Sequence, residues 1–296
     1  MIYIKLKKFY QILSLIFFGN TLGFIVNPIY LLHNCIARIF FLVNFKKKSF
    51  LKSSLTKSNS KELKNLGLKI IGITSCHHKL KEKFRSSFDE RAASDVFLDS
   101  PGYIRLNRQL YSNFLDEIIE IIESDLNNFL YSYYGSYYKI FWTSILRMCP
   151  VDGHKDDESL LWHYDDNPEG ILKVFIYCSD QKEDTGAFKT FDLKTSNILK
   201  KTGFFTYTTE DRIKNQEKIK LLENKKNYLV AEGDAGSILV FQNNIIHKGN
   251  LPKIGNRDLI VLEVIPSLTK MTKDDVLYSL NKNVTVDYPK NPFFAK

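Results

Sequence analysis

The chain has 296 residues, is 44% hydrophobic and 25% charged, and carries a formal net charge of +9; this suits one large globular domain or two small ones. The excess charge is local: nine lysines and arginines and no acidic residue fall in residues 1–60, which leaves 33 basic and 33 acidic residues beyond them. A body with no net charge excludes general nucleic-acid binding, which needs a basic face of its own.

The N-terminal segment contains two apolar runs, "FYQILSLIFF" (9–18) and "IYLLHNCIARIFFLV" (29–43). The helix-breaking stretch "GNTLGFIVNP" separates them, and lysines flank the pair: Lys5, Lys7 and Lys8 before, Lys46, Lys47 and Lys48 after. Neither run reaches the roughly 20 residues of a clean membrane span. His33, Asn34 and Arg38 make the second run a poor one. Three readings stand: a membrane-associated hairpin or interfacial anchor through residues 9–45, a targeting leader, or a helical extension packed on the body. Residues 46–61 read as a solvated linker. The expected division is residues 1–60 as hydrophobic basic segment and linker, and 61–296 as the working domain.

Cys35, Cys76, Cys149 and Cys178 are far apart with no CxxC spacing. This predicts free thiols and a reducing, cytoplasmic location, with membrane association where the N-terminal segment acts as an anchor. "SCHH" (75–78) has no second ligand pair and reads as a turn from a strand at 68–74 into a helix. Leu110, Phe114, Ile118, Ile121, Ile122 and Leu126 recur at helical spacing and predict a long helix over 109–134.

From residue 137 the texture changes. Short runs rich in β-branched and aromatic residues, bounded by turns, predict strands at 137–149, 160–164, 171–179, 186–191, 237–242 and 257–266, a sandwich or barrel. A charged helical stretch at 210–226 interrupts them, as a lid or a surface insertion. Trp142, Thr143 and Arg147 lie on a strand that can line a pocket, although the sequence does not assign their faces. His154 reads as a solvated loop residue.

The chemistry concentrates in "LWHYDDNPEG" (161–170). In a strand, residues i and i+2 share a face, so His163 and Asp165 stand side by side while Tyr164 points away and Asp166 belongs to the Asp-Asn-Pro turn. His-x-Asp alone is a weak pattern. A second strand-turn-strand frame, "GDAGSILVFQNNIIHKGNLPKIGNRDLIVLEVIP" (233–266), adds His247 and, ten residues later, Arg257. Two imidazoles and a carboxylate can occupy one face of an octahedral Fe(II) and leave three positions open. A 2-oxo acid chelates at two of these and O2 takes the third. Arg257 supplies a forked, permanently charged donor for a distal carboxylate.

HxD, a distal His and an Arg ten residues on, in a strand-rich C-terminal half, resemble the 2-oxoglutarate/Fe(II) dioxygenases, in their phytanoyl-CoA dioxygenase-like form. "WHYDDNPEGILKVFIYCSD" and "GDAGSILVFQNNIIHKGN" are similar to that family's two ligand-bearing segments, and the likeness covers about 137–266. The resemblance implies an α+β chain with a double-stranded β-helix (jelly-roll) core, flanking helices and a hydrophobic N-terminal extension. It implies Fe(II) held by His163, Asp165 and His247, and 2-oxoglutarate held by Arg257. The implied activity is hydroxylation of a small organic or lipid-like substrate with decarboxylation of 2-oxoglutarate to succinate; desaturation or cyclisation would use the same ligands. Two departures stand out. The family's Pro-Gly-Ser-His turn is missing after "TGAFKTFDL" (185–193), and the N-terminal segment is foreign to the pattern. Asp165 argues against the halogenating relatives, which lack that carboxylate, and Arg257 against the prolyl-hydroxylase branch, where a Lys does this work. The rivals are a non-catalytic jelly-roll binding protein and a cupin-type metalloenzyme that does not use 2-oxoglutarate. Neither needs Arg257.

Overall fold

The computed structural model describes residues 13–14, 23–44, 54–90, 96–151, 159–204, 209–225, 227–282, 288–289 and 291–294. His154 and most of the first apolar run lie outside the described residues.

Two antiparallel sheets face each other. The larger has seven strands, here β1 (Leu68–Ile73), β2 (Val96–Ser100), β3 (Tyr103–Leu106), β4 (Tyr137–Met148), β5 (Leu172–Tyr177), β8 (Ser237–Gln242) and β10 (Arg257–Ser267), in the order β1-β8-β5-β10-β4-β3-β2. The smaller joins β7 (Leu229–Ala231), β6 (Phe188–Thr190) and β9 (His247–Lys248) in that order. A single bridge between His163 and His247 sets the 160–165 segment beside β9. That stretch was expected to be a strand. It is extended, but pairs regularly at one residue only, because Asp166 turns the chain away with a φ of 53°.

Alternation explains why the large sheet reads as continuous apolar runs. In β5, β8 and β10, Val174, Ile176, Ile238, Val240, Ile260 and Leu262 face a helical layer. Phe175, Tyr177, Leu239, Phe241, Leu259 and Val261 face the small sheet, where they meet Phe188 and Ala231. A sheet covered on both faces shows no polar period. The helical layer includes α3 (His77–Phe88), which follows the "SCHH" turn as expected, and the helical run Arg108–Tyr134. That run is not one helix. It is a 3-10 turn (Arg108–Phe114), α4 (Leu115–Ile121), a π segment (Ile122–Leu126) and α5 (Asn127–Tyr134). The wider π turn keeps both Ile122 and Leu126 buried on the sheet side.

The N-terminal side differs from expectation in two respects. First, α1 (Gly23–Asn44) continues through Pro28, so part of the supposed breaker is helical. Asn27, Tyr30, His33, Ala37 and Phe41 recur every three or four residues and are buried. Tyr30 donates to the Pro289 carbonyl at 2.5 Å, Asn34 to the Glu169 carbonyl at 3.2 Å and Arg38 to the Tyr134 carbonyl at 3.0 Å. Among the described residues, then, the second apolar run is a helix seated on the body, although Ile25–Val43 is also long and apolar enough to cross a membrane. Second, α2 (Ser54–Leu66) begins inside the stretch read as linker. Its Ser/Lys-rich composition hid a helix whose described side chains bury Ser60 and Leu63.

The remaining helices are α6 (Leu193–Lys201), α7 (Thr209–Asn224) and α8 (Lys273–Asn281). The α7 helix is the insertion expected at 210–226.

Candidate metal centre

His163, Asp165 and His247 converge between the sheets. One potential ligand atom from each lies within 4.8 Å of the others, and no other such group occurs among the described residues. His163 Nε2 is 3.7 Å from one Asp165 carboxylate oxygen, and His247 Nε2 is 3.8 Å from the other. The backbone holds the three in place. His163 and His247 exchange both amide hydrogen bonds, at 2.9 and 2.7 Å, and the Asp165 amide donates to the Asn243 carbonyl at 3.1 Å. Strand-like alternation survives without a full strand: Trp162 and Tyr164 turn into an apolar cluster with Phe191, Phe204, Ile219 and Ile246, while His163 and Asp165 face inward. Asp166, in the left-handed region, is outside the group.

Each imidazole has a fixed tautomer. His163 Nδ1 lies 2.7 Å from the Leu161 carbonyl and His247 Nδ1 lies 2.9 Å from the Ile245 carbonyl. A carbonyl only accepts, so each Nδ1 carries the proton and each Nε2 offers its lone pair to the centre. Burial holds both imidazoles below the ordinary histidine range, which favours that neutral form. Burial alone would raise Asp165, but Lys173 donates to it at 2.7 Å and holds it well below the usual carboxylate range. An ionised carboxylate and two neutral imidazoles are the donor set of a divalent cation site.

Arg257 opens β10 on the face that meets the small sheet and is 2% exposed. Its Nε donates to Gln181 at 3.0 Å, and Nη1 lies 3.5 Å from the weak acceptor Met148 Sδ. No carboxylate pairs with it among the described residues, and burial pulls it below the ordinary guanidinium value. An uncompensated buried cation costs several kcal/mol, and an anion placed beside Arg257 would offset that cost. Aromatic rings span the space between this cation and the ligands. Arg257 lies 5.9 Å from the Phe175 ring, which packs edge-on against Phe188 and Phe241, and those two lie 5.2 and 5.4 Å from the His247 ring. A Cβ at Gly249 would sit 3.3 Å from the Ser159 carbonyl oxygen, a tight approach, and 3.7 Å from Arg257 Nη1, an ordinary contact.

All four residues singled out in the sequence therefore share one region. Arg147 does not: it lies on the helix side, fork-to-fork with Asp258 at 2.7 and 2.8 Å. Sequence reasoning missed Lys173 and Gln181. The signal for Lys173 was present, because it is the one charge in the apolar run "ILKVFIY" and shares a face with Phe175 and Tyr177. The α7 helix covers the ligand segment. Gln216 pairs with both backbone groups of Trp162 at 3.2 and 3.4 Å, and Glu223 accepts from Lys248, next to His247, at 2.5 Å.

No family model and no curated protein matches the sequence. Solved structures do. EctD from S. alaskensis in its apoform is 12% identical, with a TM-score of 0.51, over 74% of this chain and 79% of that one. SnoN, a non-heme alpha ketoglutarate dependent epimerase from nogalamycin biosynthesis, is 11% identical with a TM-score of 0.49, over 71% of this chain and 82% of that one. HygX from Streptomyces hygroscopicus, with nickel and 2-oxoglutarate bound, is 15% identical with a TM-score of 0.44, over 72% and 88%. At such identities the EctD likeness shows a common fold, and the two lower TM-scores add nothing to it.

Proposed function

We propose that the chain is an Fe(II)- and 2-oxoglutarate-dependent oxygenase of the phytanoyl-CoA dioxygenase type, hydroxylating a small organic or lipid-like substrate on a double-stranded β-helix core. The observation that carries this reading is the juxtaposition of two imidazoles and a carboxylate with a buried guanidinium that has no carboxylate partner among the described residues. A binding protein or a cupin-type enzyme would have no use for that cation. His163, Asp165 and His247 would hold the iron and Arg257 the distal carboxylate of 2-oxoglutarate.

When bound, iron supplies the redox chemistry that couples O2 reduction to decarboxylation of the cosubstrate and oxidation of the substrate. The chain's own residues do the rest. The two Nδ1–H···O=C bonds hold the imidazoles in one tautomer, and Lys173 keeps Asp165 ionised. Phe175, Phe188 and Phe241 exclude water between ligands and anchor. The α7 helix closes over Trp162 and Lys248, which supports its reading as a cover.

The test is succinate release from 2-oxoglutarate with Fe(II) and ascorbate, together with cosubstrate affinity in Arg257→Ala. Truncating one partner of a buried charge pair costs about 2 kcal/mol or more, so the variant is expected to bind 2-oxoglutarate at least roughly thirtyfold more weakly with iron affinity unchanged. Wild-type protein that neither binds nor turns over 2-oxoglutarate would remove the proposal.

The outer face of α1 supports peripheral membrane association. Ile25, Leu32, Ile39, Leu42 and Val43 are all more than half exposed, and the segment's flanks are lysine-rich without acids. Full-length protein is expected to float with anionic vesicles, and Leu32→Ser with Leu42→Ser to release it. Equal flotation of both proteins would rule out this face.

A further inference from the structure

A second cavity, of about 450 Å³, lies away from the metal centre, where α1, α2, α5 and α6 meet the Pro168–Ile171 turn. Its lining is basic. Arg38 comes from α1, Lys64 from α2, and Lys200 and Lys201 from α6, against one carboxylate, Glu169. These residues come from segments far apart in sequence, so the fold has gathered like charges that repel one another. Lys200 is the floor. It is 2% exposed, its ammonium donates to the Asn244 carbonyl at 3.0 Å, and it lies 5.4 Å from the Tyr164 ring. Among the described residues no ion pair engages Arg38, Lys64 or Lys201 at the mouth. Arg38 spends its Nε on the Tyr134 carbonyl, which fixes the guanidinium at the rim. Asn197 and Gln242 add neutral amides to the wall.

Convergent cations with an ammonium at the bottom and amides along the side suit a compact, multiply charged oxyanion. The volume exceeds that of a bare phosphate and falls in the range of small-ligand sites. We propose that this cavity binds a phosphate group, carried either by a small organic phosphate or by a lipid headgroup. The electrostatics agree. Burial lowers Lys200 to about 8, partly offset by Asp166. Partial burial and then the charge of Arg38 lower Lys64. Both directions are those of crowded, partly buried cations, and a bound phosphate would ease that crowding. The site owes nothing to the metal ligands, although Asn244 adjoins the Asn243 carbonyl that accepts from Asp165.

The experiment uses the full chain with charge reversals at the exposed rim, Lys64→Glu with Lys201→Glu, which leave the buried Lys200 in place. Calorimetric titration with inorganic phosphate and pyrophosphate reads the soluble source. Co-sedimentation with phosphatidylcholine vesicles, with and without phosphatidate, carried out in the Leu32→Ser, Leu42→Ser background so that the outer face of α1 does not contribute, reads the lipid source. Binding in at least one arm is expected, weakened tenfold or more in the double variant and unchanged in Arg257→Ala. Circular dichroism checks that the variants fold. No binding in either arm, binding indifferent to the double variant, or binding lost in Arg257→Ala would overturn the proposal; the last would place the anion at the cosubstrate position instead.

Discussion

Replacing His163 with Ala is expected to abolish Fe(II) binding while the chain stays folded. The ring contributes one of three donors, and no other His, Cys, Asp or Glu among the described residues joins the group. Removing a supporting partner of a ligand already costs about 10–100-fold in metal affinity, so losing the ligand itself is expected to cost at least about 100-fold. The fold tolerates the change because His163 ties the segment to β9 through its amide and carbonyl, which alanine keeps. Anaerobic calorimetry with Fe(II), or the absorption of a Co(II) substitute, measures the effect. Asp166→Ala is the control and should leave affinity unchanged, since that residue turns away. An unchanged affinity in His163→Ala would reduce the histidine to a structural residue.

Asp258→Ala is expected to destabilise the protein by about 3–5 kcal/mol, the usual result of leaving one member of a buried ion pair uncompensated. Arg147 is 7% exposed and spends Nε and Nη2 on the two Asp258 oxygens, with Asp89 on Nη1 and the Phe88 ring 5.0 Å away. Without Asp258 the guanidinium keeps only Asp89, which is half exposed. Adding Arg147→Met removes the stranded charge and is expected to recover much of the loss. Urea unfolding of the single and double variants gives both numbers. A loss under about 1 kcal/mol in the single variant would mean that solvent already screens the pair.

The grouping of His163, Asp165 and His247 was legible because its spacing is chemical: His-x-Asp needs only extended backbone, and Arg257 needs only to begin the next strand. The long strands were legible because a sheet covered on both sides leaves unbroken apolar runs. What escaped was short or paired through tertiary structure. A strand of three residues such as β7 barely shows a period, and β9 is only His247 and Lys248. Asp258 stands beside Arg257 in sequence yet serves the opposite face, a difference of register that appears only when β4 lies alongside. Lys173 has no sequence pattern that announces its partner, because Asp165 meets it only across the fold. In α2 the sequence showed solubility where the fold used helix.

One ligand rides on the two-residue strand β9, flanked by the His163 bridge and by β6. Two residues have no conformational will of their own; they stand where their neighbours put them. The three donor groups therefore come together only where segments more than eighty residues apart lie side by side. A metal bound there would meet its full set of donors only in the folded chain. If iron binds as proposed, its oxygen chemistry would be confined to a chain whose walls are already in place.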